Sequence, residues 1–429
     1  MSTDSVSIVG GRPLRGRIRL PGEKGMSHRA LIFAALAEGD TTIAGLAPGD
    51  DVARTLGALG ALGVRVTHSG GHTIVAGAGV GGLREPTGEI DCGNSGTTLR
   101  LLAGLVAGRP FRTVLTGDES LRSRPMARVA IPLREMGAQV EGRDGGALAP
   151  LTIRGGGLVG RQLTLERPSG QVKTALVLAG LQADGTTEIV EPGPSRDHTE
   201  RMLAALGAPV EHVDDRTVRV TRGAPRAFEL ALPGDPSSAA FLIVAATLTP
   251  GSEVVIDDLL LNPGRIEFID VLRRMGASID VEQLDERLGE PVGRVSVCAA
   301  SLHATTVSCS EPIIDEVPVL AVAAAFADGI TEFRDAAELR VKESDRIESV
   351  VELLVALGIS AEPRPDGLVV RGGRPLKGSV RSHGDHRIAL AGAVAAIAVD
   401  GVSTVNGWSA VSVSYPGFLD DLEHLAHDR

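Results

Sequence analysis

One pattern of about seventy residues recurs six times along this chain, longer than the usual solenoid repeat. Each copy opens on a Gly, Pro or Asp turn and runs into a helix of Ala, Leu and Val. It continues through a small-residue turn and a strand to a second helix that stops at glycine. The first helices read SHRALIFAALAEG, GTTLRLLAGLVAG, GQVKTALVLAGLQADG, PSSAAFLIVAATLTPG, DEVPVLAVAAAFADG and DHRIALAGAVAAIAVDG. Five second helices close at Gly63, Gly137, Gly207, Gly276 and Gly358, positions suited to a left-handed cap that a side chain would strain. Alternating stretches with Gly/Asp turns, such as VRVTHSGGHTIVAG, follow them and predict hairpins. The predicted unit is strand, helix, strand, helix, hairpin. LPGEKGMSHRA and LPGDPSSAAF open the first and fourth copies alike, which divides the chain into two domains of three units with hinges near Pro21 and Pro233. The first twenty residues are strand material that could join either domain.

The sequence has 429 residues, 43% hydrophobic and 23% charged, an ordinary globular composition. Its apolar runs at 317–327 and 388–399 are too short to span a bilayer and predict buried helices. Three cysteines give neither a disulfide framework nor a ligand spacing, so a reducing cytoplasm is the expected location. A net charge of −11 and few aromatic residues argue against nucleic acid as a partner.

Cations nevertheless collect at the starts of the predicted helices, where backbone N–H groups already favour anions. Lys24, Arg29, Arg100, Lys173, His386 and Arg387 lie near first-helix turns, and Ser169 and Gln171 join them. Arg122, Arg124, Arg196, Arg340, Lys342 and Arg346 lie near second-helix turns. An acidic chain with cations at equivalent points of several units is read as binding a small polyanion; solvated helix ends are the plain alternative. Arg124, Arg346 and Arg387 can clamp carboxylate or phosphate bidentately. Asp315, before an apolar helix, suits a general base or a simple N-cap. Glu343, between Lys342 and Arg346, suits a proton donor or the corner of an ion-pair network. The fourth copy shows no cation at its first-helix start and reads mainly as scaffold.

Other signals are weak. GAGVGG at 77–82 lacks the context of a dinucleotide fingerprint and reads as hairpin loop. His383 and His386 are spaced too closely for paired ligands on one helix face, and no metal or cofactor is expected. Cys92 reads as a small buried residue rather than a nucleophile.

Taken together, LPGEKGMSHRA, CGNSGTTLRLLAG, GDESLRSRPM, SGQVKTALVLAG, SRDHTERML, IIDEVPVLAVAAAFADG, LRVKESDR and GDHRIA resemble, in order and across essentially the whole chain, the enolpyruvyl transferase family. The resemblance is to its shikimate 3-phosphate branch. It implies an α/β (α+β) fold of six βαβαββ-like units, three per domain, one domain of 22–232 and the other of 1–21 with 233–429, with the active site in the cleft where they meet. It implies a cytoplasmic monomer acting on phosphoenolpyruvate and shikimate 3-phosphate, without nucleic acid or membrane. The implied reaction adds the 5-hydroxyl of shikimate 3-phosphate to C2 of phosphoenolpyruvate as C3 is protonated, and then eliminates phosphate. Carried over by motif, Lys24, Gly96, Arg124, Gln171, Arg346 and Arg387 meet phosphoenolpyruvate. Lys24, Gly25, Arg29, Ser169, Gly170, Gln171, Arg196, Asp315 and Lys342 meet shikimate 3-phosphate. Asp315 is the implied base, with Glu343 and Lys24 the proton donors.

Gly25 stands where the family usually has Ser, and backbone N–H groups at the helix start are expected to replace part of that contact. Gly170 and Val413 also depart from the usual pattern. The UDP-N-acetylglucosamine enolpyruvyl transferases carry a loop Cys where this chain has GDESLRSRP, without one. A diverged transferase for another phosphorylated alcohol, or a non-catalytic anion-binding relative, are the remaining alternatives.

Overall fold

The computed structural model describes residues 4–309 and 312–426. By their contacts they form two compact units. One comprises 22–232 with Glu286–Glu290, and the other comprises the chain up to Pro21, Pro233–Asp285 and Pro291 onward. A division at residue 233 puts 286–290 with the second half, but these residues cluster with the first. The reason is local: Nδ1 of buried His198 lies 2.7 Å from Glu290 Oε1, and Arg201 Nη1 donates to Gly289 O at 3.2 Å.

Each unit holds three sheets. In the second repeat Ile90–Asp91 pairs parallel with Arg112–Thr116, which is antiparallel to Leu148–Arg154, itself antiparallel to Gln139–Gly142. The third and fifth repeats build the same order within themselves. The first and fourth take their outer strand from elsewhere: Glu229–Ala231 lies parallel to Glu38–Ala44, and Arg15–Arg19 lies parallel to Glu253–Leu260. Among the described residues the sixth repeat has no hairpin, and Ser5–Gly10 runs antiparallel to Gly401–Asn406. Both strands before residue 20 therefore belong to sheets of the 233–429 unit.

The six first helices are α1 (Lys24–Leu36), α2 (Gly96–Ala107), α3 (Gly170–Gly180), α4 (Pro236–Leu248), α5 (Val317–Phe326) and α6 (His386–Ile397). They are buried almost all round: every residue of α6, and all of α5 except Phe326, is buried. An all-round apolar helix can be stable only inside such a core. The second helices bury one stripe, as with Phe268, Ile269, Val271 and Leu272 in Pro263–Arg274. Their terminal glycines have φ of +87°, +107°, +74°, +100° and +79° at Gly63, Gly137, Gly207, Gly276 and Gly358, as the pattern predicted. Among the described residues no helix is long and apolar enough to cross a membrane.

Glycine also sets a helix spacing. A Cβ at Gly104 in α2 would stand 1.9 Å from Ala175 O in α3. Gly104→Ala is therefore expected to destabilise the fold by about 1–3 kcal/mol through overpacking, read as an earlier urea midpoint. An unchanged midpoint would show that the two helices can part without cost.

Candidate functional site

Five of the six first helices are capped by the side chain that precedes them: Glu23, Ser95, Ser169, Asp235 and Asp385 each accept a backbone N–H from the first turn. These starts hold Lys24, Arg29, Arg100, Ser169, Gln171, Lys173, His386 and Arg387.

In the 22–232 unit, the starts of α2 and α3 are joined by side chains. Arg100 Nη1 donates to Gln171 Oε1 at 2.6 Å, and Gln171 Nε2 donates to Thr97 Oγ1 at 2.9 Å. Arg124 Nη2 donates to Asn94 Oδ1 at 2.5 Å and to Ser120 Oγ at 3.2 Å. Both guanidinium groups border Gly96, where a Cβ would lie 3.0 Å from Arg100 Nη1 and 3.5 Å from Arg124 Nη1. Gly96, Arg100, Arg124 and Gln171 thus form one cationic patch with a bare backbone in its middle. Gly170 makes a comparable approach to the next turn: its Cβ would sit 3.1 Å from both Arg196 Cβ and Arg196 O. Lys24 Nζ is 3.1 Å from Asp51 Oδ2.

Two expectations for this unit change. Arg29 is buried and turned inward, with Nε on Thr199 Oγ1 at 2.7 Å, Nη1 on Gly25 O at 3.0 Å and Nη2 on Thr174 Oγ1 at 2.8 Å and Gly170 O at 3.4 Å. Burial lowers its pKa from the usual value. It ties the starts of α1 and α3 together, and the charge it offers a ligand acts from behind them. At Gly25, the expected use of helix-start N–H groups meets a competitor, because the Glu23 carboxylate accepts the N–H of Met26. The same carboxylate would lie 3.1 and 3.2 Å from a Cβ at residue 25, so the space of the absent side chain is largely taken.

In the other unit, fully buried Arg346 gathers the expected acid and base. Its Nη1 donates to Asp315 Oδ1 at 3.1 Å, Nη2 to Glu343 Oε2 at 2.6 Å, and Nε to Asp385 Oδ2 at 2.8 Å. Burial opposes the guanidinium charge, but Asp385, Glu343 and Asp315 outweigh it and push its pKa up. Burial likewise acts to raise that of Asp385, yet Arg346 dominates and holds it low. Lys342 Nζ lies 3.5 Å and Arg387 Nη2 3.7 Å from the Asp315 carboxylate. The N-cap alternative for Asp315 falls away, since Glu316 holds the cap position of α5 and makes no side-chain cap bond.

The sequence pattern missed the contribution of the fourth repeat. Arg265, at the start of its second helix, donates to Ser237 Oγ at 2.9 Å and Asp235 Oδ1 at 3.2 Å. Ser237 in turn donates to Glu316 Oε1 at 2.5 Å, and Arg387 Nη1 reaches Glu316 Oε1 at 3.2 Å and Asp315 O at 2.7 Å. The fourth repeat therefore braces Arg387 and is more than scaffold. Arg265 follows Pro-Gly at the opening of a second helix, the place that carries cations in other repeats.

Other residues take structural roles. Arg340 pairs with Asp345 and Glu348, and Arg122 is exposed. Burial pushes the Cys92 thiol up to about 12, unsuited to nucleophilic work. Among the described residues Asp197, His198 and Glu290 could surround a cation, but Arg201 Nε already bonds Asp197 at 2.6 Å and His198 bonds Glu290.

A model of the family described as EPSP synthase (3-phosphoshikimate 1-carboxyvinyltransferase) matches residues 8–422. The 3-phosphoshikimate 1-carboxyvinyltransferase of Pelotomaculum thermopropionicum is 50% identical, over 97% of this chain and 98% of its own length. The enzyme of that name from Synechococcus sp. strain JA-3-3Ab is 47% identical, over 99% and 97%. Among solved structures, an EPSP synthase from Acinetobacter baumannii superposes with a TM-score of 0.88 at 38% identity, covering 99% of this chain and 98% of that one. The enolpyruvyl transferase NikO from Streptomyces tendae, at 21% identity and a TM-score of 0.79, shares the fold.

Proposed function

Since the chain belongs to the EPSP synthase family, we propose that the two groups of polar side chains just described serve a single reaction on one pair of substrates. The protein is a 3-phosphoshikimate 1-carboxyvinyltransferase: it transfers the enolpyruvyl group of phosphoenolpyruvate to the 5-hydroxyl of shikimate 3-phosphate and releases phosphate, a step of aromatic amino acid biosynthesis.

The observation that carries the residue assignment is Arg346, which holds Asp315 and Glu343 on the same guanidinium. Asp315 takes the proton of the 5-hydroxyl as oxygen attacks C2 of phosphoenolpyruvate, with Lys342 and Arg387 beside its carboxylate. Glu343, assisted by Lys24, delivers a proton to C3. Arg346 and Arg387 with Arg124 take the carboxylate and phosphate of phosphoenolpyruvate, around the bare backbone of Gly96. Ser169, Gly170, Gln171 and Arg196, with Lys24 and the inward charge of Arg29, receive the phosphate of shikimate 3-phosphate at the start of α3. Gly25 contributes only backbone there.

A non-catalytic relative would have no use for a carboxylate aimed at three cations, which favours the enzyme. The test is phosphate release from phosphoenolpyruvate in the presence of shikimate 3-phosphate. Turnover requiring both is expected. A folded protein that ignores shikimate 3-phosphate and accepts a different phosphorylated alcohol would overturn the acceptor assignment.

A further inference from the structure

Lys173, one turn into α3, is a cation with no role in the reaction as described. It is 3% exposed, and its Nζ lies 2.8 Å from Glu191 Oε2 and 2.7 Å from Glu200 Oε1, carboxylates that are 4% and 1% exposed. Glu191 has further duties: Oε1 accepts the backbone N–H of Ser169 at 3.0 Å, and Oε2 accepts the hydroxyl of Ser195 at 2.8 Å. Ser169 caps α3, and Ser195 directly precedes Arg196. Glu200 follows Thr199, which holds Arg29 and lies 2.6 Å from Thr174 Oγ1.

We propose that Lys173, through Glu191 and Glu200, is a positioning residue that sets the start of α3 against the Ser195–Arg196 turn and so shapes the place where the phosphate of shikimate 3-phosphate is held. The proposal rests on the reading above that these two segments bind that phosphate.

Three charges in an interior are a poor way to gain stability, because apolar residues of similar volume often serve as well. What the triad supplies is position. One carboxylate bonds to both segments, and Lys173 fixes that carboxylate from below. The segments are already in contact at Gly170 and Arg196, so a shift of a few tenths of an ångström in either moves the donors facing the ligand. Charge balance points the same way. Glu191 and Glu200 without Lys173 would leave buried negative charge beside a site for a phosphate. Burial acts against the lysine charge, but Glu200 and Glu191 outweigh it and raise its pKa, so the ammonium persists.

The test is calorimetric titration of the full chain with shikimate 3-phosphate alone, alongside steady-state kinetics. Lys173→Met is expected to weaken shikimate 3-phosphate binding roughly tenfold or more, the scale of a lost charged hydrogen bond, with kcat and the KM for phosphoenolpyruvate within about threefold of wild type. Lys173→Arg, which keeps the charge, should restore most of the affinity. Glu191→Gln keeps volume and should show the same split; it decides the matter alone if Lys173→Met fails to fold by circular dichroism. Affinity within about twofold of wild type in the folded variants, or equal weakening toward both substrates, would overturn the proposal. Ser169→Ala reports separately on the underlying reading: if it binds shikimate 3-phosphate normally, the phosphate lies elsewhere.

Discussion

Asp315→Asn is expected to lower kcat by about 10²–10⁴-fold, the range for a lost general base, while leaving substrate affinity nearly intact. The amide keeps the volume of the carboxylate and one acceptor for Arg346 Nη1, now 3.1 Å away. What it loses is the ability to take a proton. It also removes a negative charge from the neighbourhood of Lys342, Arg346 and Arg387, which for anionic substrates should assist binding if it changes it at all. Steady-state kinetics with each substrate varied would check this split. A variant that keeps kcat and loses affinity would assign Asp315 to binding.

Arg346→Met should act on stability as well as turnover. Arg346 is 1% exposed and bonds to Asp385, which is fully buried, and removing one member of such a pair costs about 3–5 kcal/mol. Urea titration at neutral pH reads the loss, and a loss below about 1 kcal/mol would mean the carboxylates find other partners. Acid should narrow the difference. The folded pKa of Asp385 is depressed below its unfolded value, so its contribution is present above the ordinary carboxylate range and vanishes as pH falls through the lower folded value. In the variant, protonation relieves the buried charge, so the two proteins draw together as pH falls and meet only below the depressed folded value of Asp385. Arg346→Lys keeps a charge without the planar fork, and should recover only part of both losses.

The repeat, the glycine caps and the pairing of Glu343 with Arg346 could be read from the chain, because each depends on residues close in sequence, whereas Asp315 reaches the same guanidinium from 31 residues away and its place there was implied only by the family resemblance. The direction in which a side chain turns could not. Arg29 and Thr199 are 170 residues apart, and only the packing of α1 against the second helix of the third repeat, His198–Ala205, shows that the guanidinium points inward. The contribution of Arg265 was hidden for a similar reason: its partners Asp235 and Ser237 look like ordinary caps until Glu316, from the next repeat, is placed against them. Nothing in the spacing marks Glu23, whose length lets it reach Met26 and the space beside Gly25. The caps announce where ligands can dock, whereas the order of packing decides which cations face them.

The pairing of Ser5–Gly10 with Gly401–Asn406 also bears on how the polypeptide emerges from the ribosome. The stretch 22–232 contains nearly all of its own unit and can begin to fold during synthesis, but the strands made first have no partners then. Arg15–Arg19 waits for Glu253–Leu260, and Ser5–Gly10 waits for residues almost at the other end of the chain. At about 5–20 residues per second the first wait is roughly 12–48 s and the second roughly 20–80 s, during which these strand edges stand open to whatever else is nascent or nearby. A chaperone that shields residues 5–19 has a defined period in which to act, and the pairing of Ser5–Gly10 with Gly401–Asn406 brings that period to a close.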